Sequence, residues 1–435
     1  MTQAAGARAV SHPYTRWNFV VIVLDAAFFG GALAFVDPVA VLPVLLSQLT
    51  DSEVIVGLMS TLQRAGWLVP QLIATSFVLH RPRRKPFVLF PVLIGRAPFL
   101  LLAFAFSTAW GAARPQMLLA SLIAVWGFFF FLDGLVGVPW HDICARTIPP
   151  RLRGRFFGSI QLVGGIIAVG AGAVVQRVLA DPSVPFPFNY GRLFVLLFVF
   201  MAISTAFVAL IREPPDPPTA GARSLLGLLR DIPATLREHA RLKRLIVAQV
   251  LCGVGGLAMP FYAVYADLRL GLPPAVGGIF VWAAIIGSLS ASMVWAHLSD
   301  HRGSTSVIRG AAVVMLLVPL TALLIPPIVR ILGAAEGMAY CYAAVFLLNG
   351  AVWGGTWIGF TNYVLEIAPD DLRPLFLGLQ ATLSVPSVVA PLLGGILLKV
   401  LSFEALFAIV AAGSVLALIY AYRLREPRRA EGEIP

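Results

Sequence analysis

Ile148-Pro-Pro-Arg-Leu-Arg-Gly-Arg-Phe-Phe-Gly158 returns 220 residues later as Ala368-Pro-Asp-Asp-Leu-Arg-Pro-Leu-Phe-Leu-Gly378. Pro149/Pro369, Leu152/Leu372, Arg153/Arg373, Phe156/Phe376 and Gly158/Gly378 match. The same shift aligns Gly134 with Gly354 and Asp142 with Asn362, and a shift of 222 sets Arg177 on Lys399. Each copy is a loop between two long apolar runs, so the chain consists of two related halves read in the same direction. The surrounding text is apolar throughout. Of 435 residues 59% are hydrophobic and 12% charged, against roughly 25% charged in a soluble domain. No water-soluble fold hides that much apolar surface. Disorder is excluded by the same composition, and so is nucleic-acid binding, despite a net charge of +11. The chain reads as an all-α polytopic membrane protein whose solvent is the lipid bilayer.

Twelve runs are long enough to span: 18–46, 54–79, 87–107, 116–140, 156–179, 191–211, 245–266, 274–298, 306–326, 338–363, 375–399 and 403–422. The first contains Asp25 and Asp37 and is followed by no small-residue cleavage pattern, so it is read as a transmembrane helix and not as a signal peptide. Ten-residue alternation, the mark of a membrane barrel, is missing. Lys and Arg divide 24 to 6 between the two faces, with both termini on the richer one. Positive charge marks the cytoplasmic side, which predicts cytoplasmic termini in the plasma (inner) membrane. The domains expected are a six-helix lobe over 1–211, a cytoplasmic linker over 212–244, a second six-helix lobe over 245–424, and a tail over 425–435. Within the linker, Arg212-Glu-Pro-Pro-Asp-Pro-Pro218 cannot be helical. From Ser224, a candidate cap, Leu225, Leu229, Ile232 and Leu236 alternate with Arg230, Arg237 and Arg241, as in a helix lying on a membrane surface.

On these residues the chain resembles the major facilitator superfamily over essentially its whole length. That family carries Gly-x-x-x-Asp-Arg-x-Gly-Arg-Arg between helices 2 and 3, often echoed between helices 8 and 9. The echo stands here as Ala296-His-Leu-Ser-Asp300-His-Arg302-Gly303. The first copy is Ser76-x-x-x-His80-Arg81-Pro82-Arg83-Arg84-Lys85, where His80 replaces the Asp and Arg83 the Gly. The resemblance implies transport by alternating access between two lobes, a cavity lined by helices 1, 4, 7 and 10, and loops that gate it. The gating candidates are Arg81, Asp142, Arg153, Asp300, Arg302 and Arg373, with Asp300 and Arg302 mattering more than His80.

No catalytic constellation is present. There is no Ser–His–Asp arrangement, no metal spacing and no Walker A sequence, and Gly253-Val-Gly-Gly256 falls inside a predicted helix. Cys144, Cys252 and Cys341 have no Cys-x-x-Cys spacing and read as packed free thiols. No enzyme, no cofactor and no metal is expected. The informative residues are charges at membrane depth, each costing about 2.5–3.5 kcal/mol on insertion scales unless paired or used. They are Asp25, Arg64, Arg96 and Asp133, all in the first half. Counted from the predicted inner ends at 1.5 Å per residue, Asp25, Arg96 and Asp133 share one layer within about 3 Å, and Arg64 sits about 9–12 Å higher. One cation for two carboxylates leaves one acid poorly neutralised, and a buried lone carboxylate favours its protonated form. Asp25 or Asp133 is the expected proton-binding carboxylate, with Arg96 displacing the proton, and the sharper expectation is that Asp25 carries the coupling proton while Arg96 holds Asp133. A permanent Asp–Arg pair locking the bundle is the structural alternative. In the second half, Tyr262, Asn349, Trp353 and Trp357 are the candidate cavity residues. Trp353 and Trp357 are four apart and share a helix face.

These readings combine into a proton-coupled secondary transporter of a small organic molecule. Aromatic cavity helices tilt it toward export of an amphipathic compound. Uptake of a sugar, peptide or organic acid, and a non-transporting receptor or assembly protein on the same fold, are the alternatives. Topology is directly testable on a background lacking the three native cysteines. Cysteine at Ser107 or Ser183 should react with an impermeant thiol reagent from outside, and cysteine at Ala220 should not. The opposite labelling overturns the orientation.

Overall fold

A computed structural model describes residues 14–78, 81–213, 236–369 and 373–427. In hydrocarbon every backbone N–H and C=O must find its partner within its own segment, and the described elements are helices without a strand. The first lobe has α1 (Thr15–Phe35), α2 (Glu53–Val78), α3 (Lys85–Phe106), α4 (Pro115–Thr147), α5 (Pro150–Ala180) and α6 (Phe188–Leu210). The second has α7 (Ala240–Leu268), α8 (Val276–Arg302), α9 (Ser304–Ile331), α10 (Met338–Ile367), α11 (Arg373–Leu383 continuing as Ala390–Leu397) and α12 (Phe403–Tyr422). Ten of these are long and apolar enough to cross a membrane; α2 and the divided α11 make up the twelve.

Four predicted runs are broken, among them 87–107, where Ala97 separates Lys85–Arg96 from Pro98–Phe106. The first ends at Phe35, and a separate helix, Leu42–Leu49, follows. Pro38 has no N–H to give, and the Asp37 carboxylate instead accepts from the N–H groups of Val39 (2.9 Å) and Ala40 (2.8 Å). The Gly253–Leu257 stretch of α7 is a 3-10 turn and not regular helix, and Met259-Pro260 separates it from Phe261–Leu268. A second 3-10 turn, Val385–Val388, divides α11. Arg241, Lys243 and Arg244, assigned to the linker from sequence, lie in the first turns of α7. Most of the expected surface helix, 224–235, lies outside the described residues. All three cysteines are unbridged, but Cys341 is exposed and not packed.

In the first lobe α1 packs on α5 and α6, α2 on α4, and α3 on α4 and α6. In the second, α10 packs on α8 and α9, and α12 on α9 and α7. The lobes meet where α5 crosses α8 and where α2 runs along the second half of α11. Between them run hydrogen bonds from Ser47 to Asp267 (3.4 Å) and from the Leu392 N–H to the Thr61 hydroxyl (3.3 Å). These contacts lie toward the end of the bundle away from the chain termini. The α5–α8 crossing needs glycine on both sides. A Cβ on Gly172 would come 2.9 Å from the Gly278 carbonyl oxygen, and one on Gly278 would come 2.7 Å from the Gln176 nitrogen. Gly278→Val should therefore force the lobes apart at this end, at about 1–3 kcal/mol of overpacking. Spin labels at Asp51 and Leu268 should report a longer distance; an unchanged distance would show that the crossing does not hold this end shut.

Candidate functional site

The charges at membrane depth converge near the middles of α1, α3 and α4. Arg96 ends the first segment of α3, just before Pro98, and turns inward with 6% exposure. Its Nη1 donates to the Ser204 hydroxyl (3.0 Å), the Thr205 hydroxyl (2.9 Å) and the Met201 carbonyl (3.2 Å), all on α6. Its guanidinium also lies over the Phe29 ring, 5.3 Å from the centroid. The Ser204 hydroxyl in turn donates a hydrogen bond to Asp25 Oδ1 (2.5 Å), and the Trp140 indole donates to Oδ2 (3.0 Å). Asp25 is 4% exposed and both its oxygens are engaged. The cation and this carboxylate are thus joined through one hydroxyl, without direct contact.

Asp133 takes a different partner from the expected one. Among the described residues no ion pair within 4 Å joins it to Arg96, whose charge nevertheless acts on it, and the Trp67 indole stands beside it. Asp133 is half-buried and Trp67 is 45% exposed, so this carboxylate stands at the edge of the cluster. Arg64 is separate from all three. It reaches across the lobe interface, where Nη2 donates to the Met259 thioether at 2.7 Å.

The cavity candidates in the second lobe divide. Trp353 and Trp357 are 57% and 69% exposed. Asn349 is half-buried. Tyr262, expected in the cavity, is 2% exposed and lies against Phe407 with centroids 4.7 Å apart. It belongs to an aromatic core with Tyr265, Phe403 and Tyr342, whose hydroxyl donates to the Tyr262 carbonyl (3.1 Å).

The loops at the terminus end form two equivalent clasps. In the first lobe Asp142 pairs with Arg146 (2.8 Å) and with the fully buried Arg84 (3.3 Å). Arg84 and Lys85 begin α3, and their N–H groups donate to the Glu213 carboxylate at 2.6 to 2.8 Å. Asn18 completes the joint by binding both the N–H and the carbonyl of Arg212. Arg153 caps α4 by donating to the Ala145 carbonyl (2.9 Å). In the second lobe Glu426 accepts from the Thr305 N–H (3.1 Å) at the start of α9. Gly303, at φ 83°, makes the turn there, in a region that excludes most side chains. Arg309 donates to the Leu424 carbonyl (2.8 Å). Arg81, Asp300 and Arg302 are exposed in this region, and Arg373 opens α11. His80 lies outside the described residues. Glu213 and Glu426 were not among the sequence candidates. A signal for them exists: Arg212-Glu213-Pro214 repeats as Arg425-Glu426-Pro427. Ser204, Trp140 and Trp67 had none beyond being polar groups in apolar runs.

Residues 19–385 match the family described as Major Facilitator Superfamily. No curated protein sequence matches the chain. Among solved structures, a mutant form of the nucleoside transporter NupG is similar at 12% identity, with 95% of this chain and 100% of that one covered and a TM-score of 0.69. A bacterial homologue of the iron transporter ferroportin in its inward-facing state gives 13% identity, 94% and 98% coverage and a TM-score of 0.68. The outward-facing state of a bacterial ferroportin homologue gives 14%, 93% and 98%, and a TM-score of 0.61.

The two clasps should behave alike. Glu213→Ala and Glu426→Ala each remove an acceptor from the N–H groups of a helix start, a loss of about 0.5–2 kcal/mol. Thermal unfolding in detergent should show comparable falls in midpoint. A fall in one variant only would show that the clasps are not equivalent.

Proposed function

The chain belongs to the major facilitator superfamily, and we propose that it is a proton-coupled secondary transporter exporting a small amphipathic organic molecule across the inner membrane. The observation that carries the reading is the charge arrangement of the first lobe. Two carboxylates near mid-membrane share one cation, and Ser204 ties that cation to Asp25. Among the described residues neither acid has a cation within 4 Å; Asp25 is buried and held by Ser204 and Trp140, whereas Asp133 is half-buried at the more open edge of the cluster. A group that exchanges protons with water must be reachable, and a charge without a counter-ion in a low-dielectric site is neutralised by a proton. Asp133 is therefore the coupling group and Asp25 the fixed counter-ion, the reverse of the roles expected from sequence.

The contacts at the end away from the termini support a state open toward the termini. With cytoplasmic termini, substrate enters from the cytoplasm past the exposed Trp353 and Trp357 on α10. A proton arriving at Asp133 from the other side drives the return. The loop residues Asp142, Arg153, Asp300 and Arg302 act at the mouth as gate and brace.

The reading is tested in proteoliposomes with an imposed pH gradient, following the amphipathic dyes fluorescein and ethidium. Asp133→Asn should fold normally and abolish gradient-driven movement of whichever dye the wild type moves. Asp25→Asn should lower folded yield, because it strips Arg96 of its counter-ion at about 3–5 kcal/mol. Normal gradient dependence in Asp133→Asn removes Asp133 from coupling. Movement of neither dye by the wild type removes amphipathic export.

A further inference from the structure

Arg64 differs from Arg96 in every respect that matters to a charge at membrane depth. Arg96 has two hydroxyls, a carbonyl and an acid one bond away. Arg64 has a thioether, a weak acceptor. Among the described residues no carboxylate lies within 4 Å of its guanidinium. The side chain is half-buried and so is not sealed from the space between the lobes.

What it faces is irregular backbone of the opposite lobe. Gly256, in the 3-10 turn of α7, lies directly beneath it: a Cβ there would come 3.2 Å from Nη1 and 3.2 Å from the Ala390 Cβ. Ala390 begins the eight-residue second segment of α11. The positive end of that segment and the guanidinium thus flank the same point. The break in α11 stands against the break in α7, since a Cβ on Gly253 would come 2.6 Å from the Ser387 Cβ. The Ser387 hydroxyl is buried with no hydrogen-bond partner. A cation and a helix start therefore face the same point across the lobe interface, with no carboxylate within 4 Å of the guanidinium among the described residues and an unused hydroxyl one turn away at the Gly253 break. Helix starts at broken spans are where transporters hold anionic groups, and a guanidinium fork matches carboxylate, sulfonate and phosphate oxygens.

We propose that Arg64 is the recognition site for an anionic group on the transported molecule, which makes the substrate an amphipathic organic anion. The inference rests on the transporter reading above and names its substrate class. The anion takes the guanidinium from Met259 and the space left by the missing side chain of Gly256. Because Arg64 belongs to one lobe and the α7 and α11 breaks to the other, one bound anion bridges both. Arg64 is then a specificity residue and stands outside proton coupling.

The test uses purified full-length protein in zwitterionic detergent and five ligands on one ring: benzoate, benzenesulfonate, phenyl phosphate, benzyl alcohol and benzylammonium. At least one anion should raise the thermal midpoint saturably, while the alcohol and the ammonium do not. Arg64→Gln should weaken that anion about tenfold or more, as expected for loss of a charge-assisted contact. Arg64→Lys should retain part of it, a point charge without the fork. Gly256→Ala should weaken it as well, and these two variants decide the matter if Arg64→Gln fails to fold. No anion exceeding the alcohol, or anion binding indifferent to Arg64, overturns the proposal. So does an Arg64-dependent shift seen only on adding phosphatidylglycerol in place of the soluble anions, which makes the site a lipid site. Counterflow in proteoliposomes separates this from the transporter reading. Anion binding without flux keeps the site and removes transport, and dye flux without Arg64-dependent anion binding does the reverse.

Discussion

A guanidinium held midway across an apolar bundle must be neutralised where it sits, and Arg96 organises the first lobe on that condition. Removing a partner from a buried charge costs about 3–5 kcal/mol, so each helix touching Arg96 is constrained by it. α3 delivers the cation, and α6 supplies Ser204, Thr205 and a carbonyl. α1 brings Asp25 to the far side of Ser204, and α4 closes the site with Trp140. Four of the six helices are pinned to one point. Sliding or rotating any of them breaks a bond that nothing in hydrocarbon replaces. The lobe is therefore expected to move as a body, which alternating access requires.

The second lobe is held in another way. Tyr262, Tyr265, Tyr342, Phe403 and Phe407 interlock around α7 and α12, and Phe280 stacks on Phe346 at 4.1 Å. Aromatic contacts tolerate irregular backbone beside them better than a charge network does, because they impose no fixed hydrogen-bond geometry. The two helices broken by 3-10 turns among the described residues, α7 and α11, are both in this lobe. The buried charges have settled in one half and the 3-10 breaks in the other, and Arg64 is where the first reaches the second.

The sequence was informative wherever lipid forces uniformity. Spans and halves were legible because every crossing needs an apolar run and the repeat at 148–158 and 368–378 aligns them. Depth could be counted, and Asp25, Arg96 and Asp133 do stand near the middles of their helices. Direction around a helix could not be counted. Each residue turns the helix by about 100°, and α4 runs to Thr147, seven residues past the predicted end. Depth alone therefore left open which acid faced Ser204. The break in α7 was hidden because Gly253-Val-Gly-Gly256 is as apolar as its surroundings and only its backbone differs. Tyr262 was misplaced for a related reason: resemblance sets which helix lines a cavity, but Phe407 decides where this side chain goes.

Glu213 and Glu426 show what a repeat can still hold where composition reads only linker and tail. The start of a helix has N–H groups without partners and a positive end. At the start of α3 and of α9 those needs are met by an acid placed just beyond the last helix of the same lobe. The sixth helix of each lobe is thereby tied back to its third, and the ring of helices is closed at the terminus end. Closing both rings leaves the contact between them as the weakest joint. There the bonds are few and poor: a 3.4 Å hydroxyl–carboxylate contact, a 3.3 Å amide–hydroxyl contact and a guanidinium on sulfur. Motion between lobes costs less than motion within them, and the guanidinium on sulfur is the one of these contacts that a bound anion would replace with a stronger bridge.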